Sequence, residues 1–275
     1  MHQKPSIRSR RVGLQMTYKD LLVVVDDSPN AVERVRLAAD LAERFDAHLA
    51  GLHVSLVYKP QPPRETAEAR ALFEDIVGPR KLSAEWRATT GFPIDVAVVQ
   101  ARYADLVILG QLDPADAQAP VTSPRPEEVA LSVGRPVLVV PYIGSYPTIG
   151  TRVLAAWDAS REATRAVNDA MPLLAGASSV TVLTVDPVIN REEHGEIPGA
   201  DIALHLARHG VQARVESTVS AGIGIGNTLL SRASDLGADL LVMGAYAHSR
   251  VRELVLGGAT RAILQSMTIP VLMSH

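Results

Sequence analysis

Hydrophobic positions along this chain form two alternating kinds of segment. Short aliphatic runs with no polar alternation, the mark of strands buried on both faces, are separated by longer stretches with helical periodicity. The first run covers residues 21–25, and residues 31–45 then place Val32, Val35, Ala39 and Leu41/Ala42 on one helix side. Ser28 stands where an N-cap belongs, with Pro29 at the first helical position. A second run at 48–54 completes a strand–helix–strand unit, which requires a parallel pair with a right-handed crossover. The pattern continues with a helix over 65–77, a strand over 83–89, a helix opened by Gly91-Phe92-Pro93 and a strand over 104–110. A proline-rich stretch over 111–126 and a short helix over 127–132 precede a fifth strand at 135–141. Pro136 and Pro141 bound that strand, which suits an edge of a sheet.

The second half runs through the same plan. Strands are expected at 152–157, 178–185, 211–219, 238–243 and 269–273, with helices up to 174, over 199–209 and from Gly222 to 236. Asp26-x-Ser28-x-x-Ala31 matches Asp158-x-Ser160-x-x-Ala163, and Arg135-Pro136-Val137-Leu138 matches Ile269-Pro270-Val271-Leu272. Gly110 to Pro136 and Gly244 to Pro270 both span 26 positions. Two registers this far apart agree because an α/β domain of about 130 residues, an ordinary domain size, is duplicated in tandem. The expected boundaries are a basic N-terminal tail over 1–16, a first domain over 17–141, a linker over 142–150 and a second domain over 151–275. The tail carries Lys4, Arg8, Arg10 and Arg11 with little apolar content, is expected to be disordered, and leaves Met16 as an alternative start.

Composition narrows the functional classes. A net charge of −3 offers no footprint for nucleic acid or an anionic membrane. No apolar run approaches the roughly 18 residues of a membrane span. The absence of cysteine removes disulfides, thiolate metal sites and a cysteine nucleophile, and fits a reducing compartment. A cytoplasmic protein is expected.

The chemistry gathers at one stretch. The run 238–243 ends at Gly244, a polar loop follows, and Gly257-Gly258 opens the next helical stretch, Ala259-Thr260-Arg261. A strand, a glycine loop and a helix start make a phosphate cradle, because glycines permit close approach and the helix start offers unpaired N–H groups. Turn punctuation is the other reading of these glycines.

With the Asp-x-Ser-x-x-Ala motif, the Ala-Asp-Leu run ending in glycine, and Pro-Val-Leu closing each half, residues 17–275 resemble the universal stress protein family in its tandem two-domain form. The resemblance implies an α/β fold of two open five-stranded parallel sheets, Rossmann-like and similar to the adenine nucleotide alpha hydrolases. Strand one would lie beside strand four at the topological switch point, where ligands bind. Some members bind ATP there, so the implied ligand is ATP with magnesium, in a regulatory role without catalysis. Against the family pattern G-x2-G-x9-G-(S/T), this chain has Gly244, Ala247, Gly257 and Gly258: two matches and two departures. His248 and Arg250 add positive charge near a phosphate, and Thr260 is a substitute hydroxyl. The implied adenine and ribose contacts fall on Ala156, Trp157, Asp158, Thr184 and Met243. Helix capping with Ser160 is the other reading of Asp158, and core packing that of Trp157. The first half carries Gly110, Asp113, Ser123 and Pro124 at the loop positions. An aspartate repels phosphate and proline has no N–H to give, so this half is expected to bind no nucleotide and to act as a structural partner. In this family the fifth strands pair between domains, which implies an internal pseudo-dimer; a homodimer of the whole chain is a further option.

Three other patterns fall short of chemistry. Gly222-Ile223-Gly224-Ile225-Gly226 has the wrong spacing for a dinucleotide fingerprint. His205 and His209 have metal-ligand spacing, but Leu206 replaces the glutamate of a metalloprotease helix. Gly144-Ser145 fails the nucleophile-elbow pattern on both sides. No general base, nucleophile and orienting group cluster on the motif loops, so neither a metal nor a catalytic role is expected.

Overall fold

The computed structural model describes residues 17–56, 67–116, 123–187, 199–245 and 258–275. The chain begins with β1 (Asp20–Val24), α1 (Ala31–Phe45), β2 (His48–Ser55), α2 (Ala67–Val77), β3 (Ala84–Thr90), α3 (Pro93–Ala101), β4 (Leu106–Gly110), α4 (Pro126–Ser132) and β5 (Val137–Val140). It continues with β6 (Arg152–Ala156), α5 (Arg161–Asp169), α6 (Met171–Leu174), β7 (Ser179–Val185), α7 (Ala200–Arg208), β8 (Ala213–Thr218), α8 (Ile225–Asp235), β9 (Leu240–Gly244), α9 (Gly258–Ser266) and β10 (Val271–Ser274).

The described strands form one ten-stranded sheet in the order β3-β2-β1-β4-β5-β10-β9-β6-β7-β8. Every ladder within a half is parallel, as the aliphatic runs require, while β5 and β10 meet antiparallel. Strand one of each half sits beside strand four: β1 pairs with β4 and β6 with β9. One face of the sheet is covered by α1, α2, α5, α6 and α7, and the other by α3, α4, α8 and α9, so alternate strand residues feed two separate cores.

The seam has a register worth following. Val139 pairs with Val271, Leu138 with Leu272, and Val137 with Met273. In the repeat alignment Leu138 corresponds to Leu272, so the ladder is symmetric about that pair. Because the two strands run in opposite directions, the carboxyl end of one half's strands lies beside the amino end of the other's. Side chains add to the junction: the Tyr18 hydroxyl donates to Asp169 O at 2.7 Å, Arg44 Nη1 to Ile149 O at 2.9 Å and Arg165 Nη2 to Gly134 O at 3.2 Å. Burial, and then the nearby Asp169 carboxylate, push the Tyr18 phenol above its ordinary pKa.

Three local expectations change. Ser28 does not cap α1; its hydroxyl donates to Asp26, and Asn30 takes the cap position without a side-chain bond to the helix, its Nδ2 donating to Pro141 O instead. The helix expected up to residue 174 is two, because Pro172 has no N–H for the next turn and the chain restarts at Met171. The proline-bounded fifth strands are central in the full sheet: Pro136 and Pro141 flank the four paired residues without interrupting them.

The glycine run near 224 has a packing role. A Cβ on Gly226 would stand 2.8 Å from Ala259 O and 2.8 Å from Ala262 Cβ, so its missing side chain lets α8 close on α9. Gly226→Val is expected to cost about 1–3 kcal/mol by overpacking, measured as a lower midpoint in chemical denaturation. An unchanged midpoint would count against close packing at this contact.

Candidate functional site

At the switch point of the second half, β6 and β9 lie side by side and release their chains at the same end of the sheet. The main chain leaves β6 through Trp157 and Asp158. Asp158 Oδ1 accepts from Ser160 N–H at 3.0 Å, and Ser160 Oγ accepts from Ala163 N–H at 3.0 Å as the N-cap of α5. Asp158 therefore helps shape the turn, and its carboxylate stays exposed at the mouth of the crevice. Trp157 is half-buried and packs against the core on the α5 side; Ala156 and Met243 pack on the opposite face of the sheet.

Gly244 ends β9, and its missing side chain is required by close approach. A Cβ there would stand 2.6 Å from the Ala163 nitrogen, so the first turn of α5 closes directly on the strand end. Gly258 opens α9 and is exposed, with Ala259 half-buried behind it. The first turn of α9 thus turns N–H groups that have no partner within the helix to the same end of the sheet as Asp158. Thr260 is 2% exposed and already engaged. Thr184 is 1% exposed, sits in the β7–β8 ladder opposite Ser217, and has its hydroxyl paired with Ser217 Oγ at 2.7 Å, so the expected ribose contact has no free hydroxyl there. Ala247, His248, Arg250 and Gly257 lie outside the described residues.

The first half has different contents at the equivalent place. Arg34, on the buried face of α1 and 2% exposed, turns its guanidinium into the gap between the ends of β1 and β4. Its Nε donates to Val24 O at 2.8 Å and its Nη2 to Asp26 Oδ1 at 2.6 Å, while Nη1 lies against Gly110. Ser123, at the third glycine-loop position, donates to Asp26 Oδ2 at 2.8 Å. Burial raises the Asp26 pKa, but the Arg34 charge and hydrogen bonds from Ser28, Arg34 and Ser123 outweigh it, and the carboxyl ends below its ordinary range. This half's crevice is filled by its own side chains. The sequence reading missed Arg34, although an arginine between Ala31 and Val35 on an apolar helix stripe was a usable signal. The repeat places Ala166 at the corresponding position of α5, with no side chain to reach into the second crevice.

Elsewhere, the rings of His205 and His209 stand 4.7 Å apart, and among the described residues no three metal-ligating groups converge. No described helix is long and apolar enough to cross a membrane.

Comparison with known proteins bears on this arrangement. Residues 151–275 match the model of the universal stress protein family. Universal stress protein Slr1230 of Synechocystis is 30% identical over 186 residues, which is 66% of this chain and 62% of that protein. The chain thus spans less than two thirds of that relative's length. A universal stress protein from Archaeoglobus fulgidus superposes with a TM-score of 0.66 at 16% identity, covering 92% of this chain and 97% of the other. A functionally unknown protein from Pseudomonas aeruginosa gives 0.63 at 18% identity, covering 94% and 92%. At these identities the structural likeness is one of fold.

Proposed function

We propose that the chain, whose residues 151–275 match the universal stress protein family, binds ATP with magnesium as a regulatory ligand in its second half, while its first half is a structural partner. The observation that carries this reading is the contrast between the two crevices. Arg34 and Asp26 fill the first, whereas in the second Ala166 stands at the place of Arg34, and the described neighbours of Gly244 are Ala163 N and Glu162 Cβ in the first turn of α5. A purine nucleotide needs an acceptor near its ribose and main-chain N–H groups near its phosphates. Asp158 suits the first role and the amino end of α9 the second. His248 and Arg250 are assigned to the phosphates by sequence alone. The symmetric β5–β10 ladder supports reading the chain as an internal pseudo-dimer.

Isothermal titration with ATP and magnesium tests the proposal. A single site is expected, and it is lost in Gly258→Pro, which removes an N–H at the cradle. Absence of heat up to about millimolar ATP, where binding is worth only about 4 kcal/mol, would reject it. A second reading has its own support: Ala247 and Gly258 depart from the family loop and the Thr184 hydroxyl is already paired. Under that reading the chain acts through its surface as an interaction protein and binds no nucleotide.

A further inference from the structure

Gln111 follows Gly110 at the end of β4, is 6% exposed, and joins three parts of the chain. Its main-chain N–H donates to Val140 O at 2.7 Å, and its Oε1 accepts from Tyr142 N–H at 3.2 Å. Its Nε2 crosses to the other half and donates to Leu264 O at 2.7 Å. Leu264 lies in the last turn of α9, where helix carbonyls have no partner within the helix. The contact is possible because the halves join antiparallel, so the far end of α9 reaches the carboxyl end of the first half's strands. The repeat puts Ala245 at the corresponding position of the second half, and alanine has no amide with which to return the contact.

We propose that Gln111 is a positioning residue for α9, through which the first half fixes the helix that presents its N-terminus to the second half's crevice. A helix of nine residues is short, and little of its stability is its own. Two contacts hold it at opposite ends. Gly226 of α8 packs on Ala259 and Ala262 in the first turn, and Gln111 caps the last. The anchor is itself rigid, because Gly110 packs on the Arg34 guanidinium that fills the first crevice. The plugged half thereby presets the direction of the α9 N–H groups, which lowers the ordering cost of receiving an anion there. Only that last consequence rests on the ATP reading; the anchoring does not.

Hydrogen exchange on the full chain tests this with two variants. Gln111→Glu keeps the acceptor for Tyr142 N–H and loses the donor to Leu264, while Gln111→Met loses both. Both are expected to speed exchange of the α9 amides about tenfold, the factor one buried hydrogen bond is worth, with β6 and β7 unchanged. In parallel, titration with ATP and magnesium is expected to show about a fivefold weaker Kd in both variants. If the wild type takes up no ATP, the exchange result alone decides the anchoring. Unchanged α9 exchange in both variants would overturn the proposal. So would an effect of Gln111→Met alone, which would assign the role to the Tyr142 contact, or equal acceleration across the whole second half.

Discussion

Arg34→Met is expected to lower the stability of the first half by about 3–5 kcal/mol, the range found when one partner of a buried ion pair is removed. Asp26 would be left buried with two hydroxyl donors and no positive charge, Val24 O would lose its guanidinium donor, and a gap would open beside Gly110. Each half contains one tryptophan, Trp86 in the first and Trp157 in the second, so denaturation followed by fluorescence can separate the two transitions. Adding Asp26→Asn is expected to recover more than half of the loss, since the cost is mainly that of an unpaired charge. The same pair sets a pH dependence. Asp26 titrates below its ordinary range when folded, so its contribution is complete above the unfolded carboxylate pKa of about 3.9. It is lost as pH falls through the lowered folded value. Wild-type stability should therefore fall more steeply in acid than that of the double variant. A loss under about 1 kcal/mol for Arg34→Met, the size of a surface pair, would show that the plug adds little.

The second large effect concerns the seam. Residues 151–275 expressed alone are expected to form a homodimer at micromolar concentration. Removing the first half leaves β10 with an unpaired row of N–H and C=O groups and exposes Val271, Leu272 and Met273, all fully buried in the intact chain. The symmetric register supplies the replacement: a second copy of β10 can take the place of β5 with Leu272 opposite its own counterpart. Such an isologous pairing closes on itself and stops at two copies. Sedimentation of the isolated half should give twice the monomer mass, and Leu272→Asp should give a monomer or an unfolded chain. A folded monomer at about 50 μM, well above the dissociation constants of stable dimers, would argue that β5 is not replaceable.

Element order was legible because it depends on local pattern. The aliphatic runs gave parallel strands, helical periodicity gave the crossovers, and matched motifs at two registers gave the repeat. The misreadings also have local causes. Ser28 was a reasonable cap until Asp26 competed for its hydroxyl, and the expected single helix ignored that Pro172 cannot donate. Of the candidate site residues, Asp158, Gly244 and Gly258 lie at one end of the sheet, a placement that the strand and helix order already implied. The Thr184 hydroxyl was not available, because its partner Ser217 comes from β8, thirty-three residues away.

The sequence alone therefore determined an α/β chain with a doubled plan and a glycine pattern better kept in its second half, because periodicity and motif spacing act over a few residues at a time. Tertiary structure decided which crevice is filled and what holds α9. A long side chain such as Arg34 can reach solvent or turn inward, and only the arrival of Asp26, Val24 and Gly110 around it settles the direction. Gln111 shows the same dependence, since its acceptor at Leu264 lies 153 residues away and meets it only because β5 and β10 join antiparallel.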